Sequence, residues 1–539
     1  MVACCVNMSA PVNKVPRSVT LAALVALPLL GCNMLTGADQ FVVDDAADGD
    51  GDGDGPGNGN GNGNGNGNGN GNGMGGGGVG GEGQGGAPIV DTTGDATGMS
   101  VSRVDFYQAV KSTVFANGAP QSPSLRLVAN RPAVVRVFVE SSAATGAPVT
   151  ARLTIGDSAP LEVAVSVGSG GSDQSFGSTV NFDVPASYMT PGASWRVQLL
   201  EDQSTAQGSN PAASTPSTSL SLVVSHALKV TIIPISYGAD GSNRMPDTSA
   251  AQLEGYRAAF MTLYPTSDVE LVLGPTMGWN GGVNSGGDGW DSLLNALSEE
   301  RSSANADFDE FYYGVFEPAS SFGGYCGGGC VSGLGFIGDP NGIYSRAAIG
   351  LGYTGDVAIG TAIHEVGHNH GRPHSPCGNV AGADGNYPHG GGVIGTWGMN
   401  IFSHTMVSPD TKDFMGYCDP VWISDYVYDE ILSFMQATGN QNLIVPEESM
   451  NQSYERISVG GSGSQFLTPM TLKNPPMGTI KDVVITTESG ETKTVQGTFY
   501  AYDHLPGGVL FVKEEASTIS VMEANFDLGN GSQAVSIAR

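Results

Sequence analysis

The sequence predicts a multidomain chain. A central α/β domain is flanked by all-β, sandwich-like modules and preceded by a disordered Gly/Asn-rich tether. Three observations lead there. Residues 98–226 and 443–539 carry short β-branched runs broken by Gly, Ser and Pro. Residues 227–442 alternate strand-like and helix-like patterns. Residues 57–73 alternate Gly and Asn, a composition with no apolar surface to bury. A chain of 539 residues has the length for about three domains.

At the N-terminus, Lys14 and Arg17 precede an apolar run at 19–30 of signal-peptide length. The run ends Leu29-Leu30-Gly31-Cys32, which resembles a bacterial lipobox. That resemblance implies a lipoprotein signal peptide over 1–31 and lipidation of Cys32. The mature protein is then exported and lipid-anchored in the cell envelope, at the outer membrane or cell surface of a Gram-negative bacterium. Ordinary secretion with an incidental Cys is the alternative. Residues 32–97 read as the lipid anchor and tether. Beyond the N-terminus no run reaches the ~18 apolar residues of a spanning helix, so membrane contact is expected through the lipid alone. Asp48 opens an Asp-x-Asp-x-Asp-Gly stretch resembling a calcium loop, but Gly59 stands where a bidentate Glu belongs. A structural calcium ion is therefore not readable. The net charge of −30 excludes nucleic acid as a partner, because no basic patch offsets that field. Oligomeric state leaves no mark in the sequence.

The first β module, 98–226, has β-rich runs at 101–106, 133–139, 149–155, 161–167 and 195–199. They fit a sandwich of immunoglobulin-like type without its Cys pair. It serves as a spacer, a pro-region or a binding module. The central domain, 227–442, opens with a continuous apolar strand at 229–235. Helices are expected at 251–263 and 290–301, strands at 269–273 and 311–316, and a closing amphipathic helix at 423–437. The last module, 443–539, returns to strands at 483–487, 497–502 and 509–512, and no chemistry is readable in it.

The chemistry lies at 364–374, which reads His-Glu-Val-Gly-His-Asn-His-Gly-Arg-Pro-His. With only 8 His in 539 residues, the pattern H-E-x-x-H-x-x-G-x-x-H has little chance of arising at random. Ile359, Ile363 and Val366 recur at helical spacing, and Asp356 is placed to cap that helix. On a helix His364 and His368 share one face and offer two imidazoles to one ion. Glu365 sits about 100° around, beside the metal rather than on it. Gly371 suits the left-handed turn that ends the helix, so the chain doubles back and His374 adds a third nitrogen. Three neutral His leave a zinc ion an open position for water, the arrangement of a catalytic site. Glu365 is then the general base. His370 faces another side and reads as a supporting or surface residue. His226, His389, His404 and His504 read as solvent-facing or satisfied structural residues.

These residues resemble the metzincin clan of zinc metallopeptidases, whose extended motif is followed by a Met-turn. Asp413-Phe414-Met415-Gly416-Tyr417-Cys418 is the candidate turn. The resemblance implies a metzincin-like α/β fold, Met415 as an apolar floor beneath one catalytic zinc, and Tyr417 as a stabiliser of the tetrahedral intermediate. Within the clan the motif and turn look most like secreted bacterial enzymes of the dictomallein type. The implied activity is a zinc metalloendopeptidase acting on extracellular or envelope proteins or glycoproteins. A surface adhesin with a vestigial peptidase domain, or a self-processing protease, is the rival.

Four cysteines follow the tether. In an exported protein the even count points to two disulfides, with Cys326–Cys330 and Cys377–Cys418 the favoured pairing. A redox or metal role for the first pair, or a free Cys377 on the zinc, stays open.

Overall fold

A computed structural model describes residues 93–539 except 124, 142–147, 169, 203–209, 440–446, 461–462, 516–517 and 529–530. The expected signal peptide, Cys32 and all of the expected tether up to residue 92 lie outside the described residues. The described chain is mostly β, in several sheets, with five α-helices among the described residues.

The N-terminal part packs two antiparallel sheets on one core. One runs in the order Thr93–Asp95, Ser194–Asp202, Val149–Ile155, Leu161–Ala164. The other contains Ala109–Ala116, Met99–Tyr107, Ala133–Ser141 and Val180–Val184. Val104, Phe106, Val135 and Val137 from the second sheet meet Ala151, Leu153, Trp195 and Val197 from the first. Alternate residues of each strand point inward, as the two-residue period of a strand requires.

Two expectations need correction here. Residues 93–97 are not tether. Thr93–Asp95 pairs with Ser194–Asp202, Ala96 is fully buried, and Thr97 donates to Glu201 Oε1 at 2.9 Å. A short polar strand with Gly at its centre carries no hydrophobic signal, so its composition resembles that of the Gly-rich stretch before it. A strand at Ala109–Ala116 is also present where the sequence predicts none. It follows Met99–Tyr107 through Gln108 alone, with Ala109 at φ 88°, a turn containing no Gly, Pro, Asn or Asp.

The central part holds a sheet ordered Val269–Leu273, Leu228–Tyr237, Glu310–Phe316, Ala347–Leu351, Gly333–Gly335. The first four strands are parallel, and Gly333–Gly335 is an antiparallel edge. The helices are α1 (Ala250–Leu263), α2 (Trp290–Ser303), α3 (Phe322–Cys326), α4 (Asp356–Asn369) and α5 (Asp425–Gly439). Apolar faces of α1, α4 and α5 share one core with the sheet: Tyr256, Phe260, Ala362, Val366, Val427 and Ile431 are all buried in it. Helix α2 packs on the other side through Leu293, Leu294 and Leu297.

The N-terminal and central parts are joined more closely than a linker would join them. Gly398–Asn400 and Thr405–Val407 extend the second N-terminal sheet, with Gly398 opposite Val110. Trp422 Nε1 donates to Ala109 O at 2.9 Å. Arg131 is fully buried and donates to the carbonyls of Met261, Thr262 and Thr266. A cation there meets the negative end of the α1 dipole.

The C-terminal part is one antiparallel sheet in the order Gly463–Leu472, Gln452–Gly460, Gly507–Lys513, Thr492–Ala501, Thr479–Thr487, Ile519–Asp527, Ser532–Ala538. Its Leu510 and Val512 face the sheet's own core with Ile457, Ile485 and Phe526. Val509 and Phe511, on the opposite face, pack with Tyr344, Phe336 and Leu293 of the central part. Among the described residues no helix is long and apolar enough to cross a membrane.

Candidate active site

Helix α4 carries the site. Its N-cap is Gly355, at φ 102°, and Asp356 stands in the first turn. The expected cap is therefore one residue too late, and Asp356 acts instead as a negative charge at the positive end of the helix. Ala358, Ile359, Ala362, Ile363 and Val366 bury one face against the core, which turns His364 and His368 toward the cleft. Gly371 takes φ 76°, in the left-handed region, and brings His374 back over the helix.

The three imidazoles converge. Nε2 of His364 and Nε2 of His368 are 3.0 Å apart, and the ring of His374 lies 5.3 Å and 4.6 Å from theirs. Each ring is oriented from behind. His364 Nδ1 pairs with Phe414 O at 2.7 Å, His368 Nδ1 with Arg372 O at 2.5 Å, and His374 Nδ1 with Ala381 O at 2.8 Å. A carbonyl accepts only, so each Nδ1 carries the proton and each Nε2 presents a lone pair. All three residues are buried. Burial, then the neighbouring imidazoles, holds His364 well below the usual histidine range. Burial lowers His368 to about 4 and His374 to about 2. Three neutral imidazoles whose lone pairs face one another repel unless a cation lies between them. The donor set and its backbone support therefore fit a metal ion.

Glu365 is 1 % exposed beside this cluster, and its Oε2 has no hydrogen-bond partner among the described residues. A Cβ on Gly333 of the edge strand would lie 2.3 Å from Glu365 Oε1, so that strand passes directly against the carboxylate. Met415 is fully buried under α4. A Cβ on Gly367 would lie 2.5 Å from Met415 Sδ, so the glycine between the two helical histidines admits the methionine. Tyr417 places its hydroxyl 3.1 Å from His374 Nε2. Cys326–Cys330 and Cys377–Cys418 are both bonded. His370 stays outside the cluster, buried and stacked on Phe311 at 4.4 Å. His226, His389 and His404 also stay outside it, the last two paired with Asp425 and Asp183.

His504, expected as a solvent-facing or satisfied structural residue, does not face solvent but lies in the site. A ring nitrogen of His504 groups with those of His364, His368 and His374, all within 4.8 Å of one another. Its neighbour Asp503 has a fully buried side chain, 3.4 Å from His368 Nε2. Burial, then the charge of Asp503, pushes Glu365 well above the usual carboxylate range. Burial opposes ionisation of Asp503 too, yet His504 and His368 hold it well below that range. The C-terminal part, in which no chemistry was readable, thus contributes two side chains to the site.

Residues 337–418 match the Peptidase M66 family. The matched segment holds α4, all three motif histidines, Glu365, Met415 and Tyr417, and it ends before His504. It supports a metallopeptidase, hence a hydrolase that acts on protein substrates, and with the His cluster it supports a bound metal ion. No curated protein matches the chain.

The turn within the matched segment is held by Asp413, whose carboxylate accepts from the backbone N–H of Met415 and of Ser424, each at 2.8 Å. Burial raises Asp413 from 3.8 to about 6, against the opposing effect of those hydrogen bonds. A carboxyl with a raised folded pKa favours the native state at low pH, and that contribution is lost as pH rises through about 6. At about 1.4 kcal/mol per pKa unit the loss is roughly 3 kcal/mol. Asp413→Asn is expected to remove this component, so that urea unfolding of the variant varies less between pH 4 and 7. An unchanged pH profile would refute the assignment.

Proposed function

We propose that this chain is a zinc-dependent metalloendopeptidase of metzincin type, exported and lipid-anchored through Cys32, that cleaves extracellular or envelope proteins or glycoproteins. The observation that carries the reading is the set of three neutral imidazoles, each fixed through Nδ1 by a backbone carbonyl, converging beside a buried carboxylate. Imidazole nitrogens suit zinc, and three of them leave room for a reacting group. The zinc held by His364, His368 and His374 supplies Lewis acidity and lowers the pKa of water.

The remaining steps belong to the chain. Glu365 accepts the proton of the attacking water and delivers it to the leaving amine. The Tyr417 hydroxyl donates to the scissile carbonyl oxygen as that atom gains charge. Met415 and Gly367 hold the two helical histidines in register. The two disulfides fit an oxidising compartment, in keeping with export. Anchoring at Cys32 is supported by the lipobox-like sequence alone.

The test is digestion of unfolded and mucin-like proteins by the purified mature chain, with and without 1,10-phenanthroline. Cleavage is expected, with loss of activity in chelator and its return on adding zinc. Cleavage that persists after the metal is stripped would overturn the reading.

A further inference from the structure

The turn at 501–504 of the C-terminal sheet is bound in the site as an added strand. Ile337 N donates to Ala501 O at 3.1 Å, Asp503 N donates to Gly335 O at 3.2 Å, and Phe336 and Tyr502 form an antiparallel bridge. Gly335 N donates to Asp503 Oδ1 at 3.0 Å. The edge strand that runs against Glu365 is thus paired along the side an extended peptide would use.

His504 is prepared as the motif histidines are. Its Nδ1 pairs with Asp503 Oδ2 at 2.6 Å, where theirs pair with carbonyls. A carboxylate on Nδ1 fixes the tautomer and leaves Nε2 as the metal-binding nitrogen. The ring lies 5.2, 5.5 and 4.8 Å from those of His364, His368 and His374, and it stacks on Tyr417 at 5.5 Å. A packing accident does not account for this arrangement. A buried carboxylate is costly without partners, and seating against the edge strand adds the Gly335 N–H and the His368 ring to the His504 groups that Asp503 already has.

We propose that His504 is a fourth protein ligand to the metal, delivered by the C-terminal module, and that segment 501–504 occupies the peptide-binding edge. The inference rests on the metal-site reading above. A four-nitrogen site is a closed one with no position left for water. In this conformation the chain is latent, and the cleavage expected of the purified chain proceeds through the fraction of molecules whose 501–504 turn has left the edge strand, freeing the fourth position.

The test uses the full mature chain loaded with zinc and X-ray absorption at the zinc edge. Four imidazole nitrogens are expected in the wild type. Three nitrogens and one oxygen are expected in His504→Ala and in His504→Gln, the second retaining bulk and a polar end should the first misfold. Zinc transfer to a chelator should be at least ~10-fold faster in both variants. Hydrolysis of a short peptide should rise in them rather than fall. Three imidazoles and one oxygen in the wild type would overturn the fourth-ligand proposal while leaving the peptidase reading standing. A wild type that retains no zinc would overturn both.

Discussion

Glu365→Gln is expected to cut peptide-bond hydrolysis by ~10²- to 10⁴-fold, the usual contribution of a positioned general base, while zinc content stays at one ion per chain. Gln matches Glu in shape, which matters because Gly333 leaves no room beside Oε1 for anything larger. The three motif histidines keep their carbonyl partners in the variant, so the metal site stands. What disappears is a group that can take a proton from water and return it to the leaving nitrogen. The same substitution removes one member of a buried pair of carboxylates, since Asp503 lies beside Glu365 and raises its proton affinity. The variant should therefore unfold at the same denaturant concentration as the wild type or a higher one. Activity lost without stability lost separates a catalytic role from a structural one. Wild-type turnover in the variant would remove Glu365 from the reaction.

Local spacing made half of this site legible. His364, Glu365, His368, Gly371 and His374 lie within eleven residues, and the helical period alone decides which of them face the ion. His504 follows His374 by 130 residues and belongs to another sheet. The pairing of residues 501–503 with Gly335–Ile337 brings it in, and no spacing rule carries that information. A faint signal was present: Asp503-His504 followed by Pro506 marks a turn with a paired imidazole, in a chain that has only 8 His. The fold shows the same division. Strands such as Val149–Ile155 and Val269–Leu273 were readable from their β-branched runs. Gly333–Gly335, the edge that shapes the cleft, reads Gly-Leu-Gly and carries no strand propensity. It is a strand because Ala347–Leu351 offers it a partner and because Glu365 leaves space for nothing larger than glycine. The joining of Gly398–Asn400 to the N-terminal sheet was hidden for a similar reason. A Cβ on Gly398 would lie 2.6 Å from Trp422, so the residue that permits the contact is one that signals a loop.

Breaking Cys377–Cys418 with Cys418→Ser is expected to cost about 4 kcal/mol of stability, whereas breaking Cys326–Cys330 should cost about 2 kcal/mol. The difference follows from loop length, because the first bond closes 41 residues and the second only 4. Loop-closure entropy in the unfolded chain grows with the logarithm of that number. The long bond also joins the two walls of the site. Cys377 lies three residues after His374, and Cys418 follows Tyr417 directly. Two backbone hydrogen bonds run beside it, from Ser375 N to Met415 O and from Tyr417 N to Cys377 O, each at 3.0 Å. Without the covalent tie these bonds alone align His374 with Tyr417, so Cys418→Ser should also release zinc to a chelator faster. Cys326→Ser, whose bond touches none of the three motif histidines, should leave that rate unchanged. Guanidinium unfolding and zinc-transfer rates of the two variants check both halves of the expectation. Equal stability losses would show that loop length does not govern them. A faster release in the Cys326 variant would show that the walls of the site are held from elsewhere.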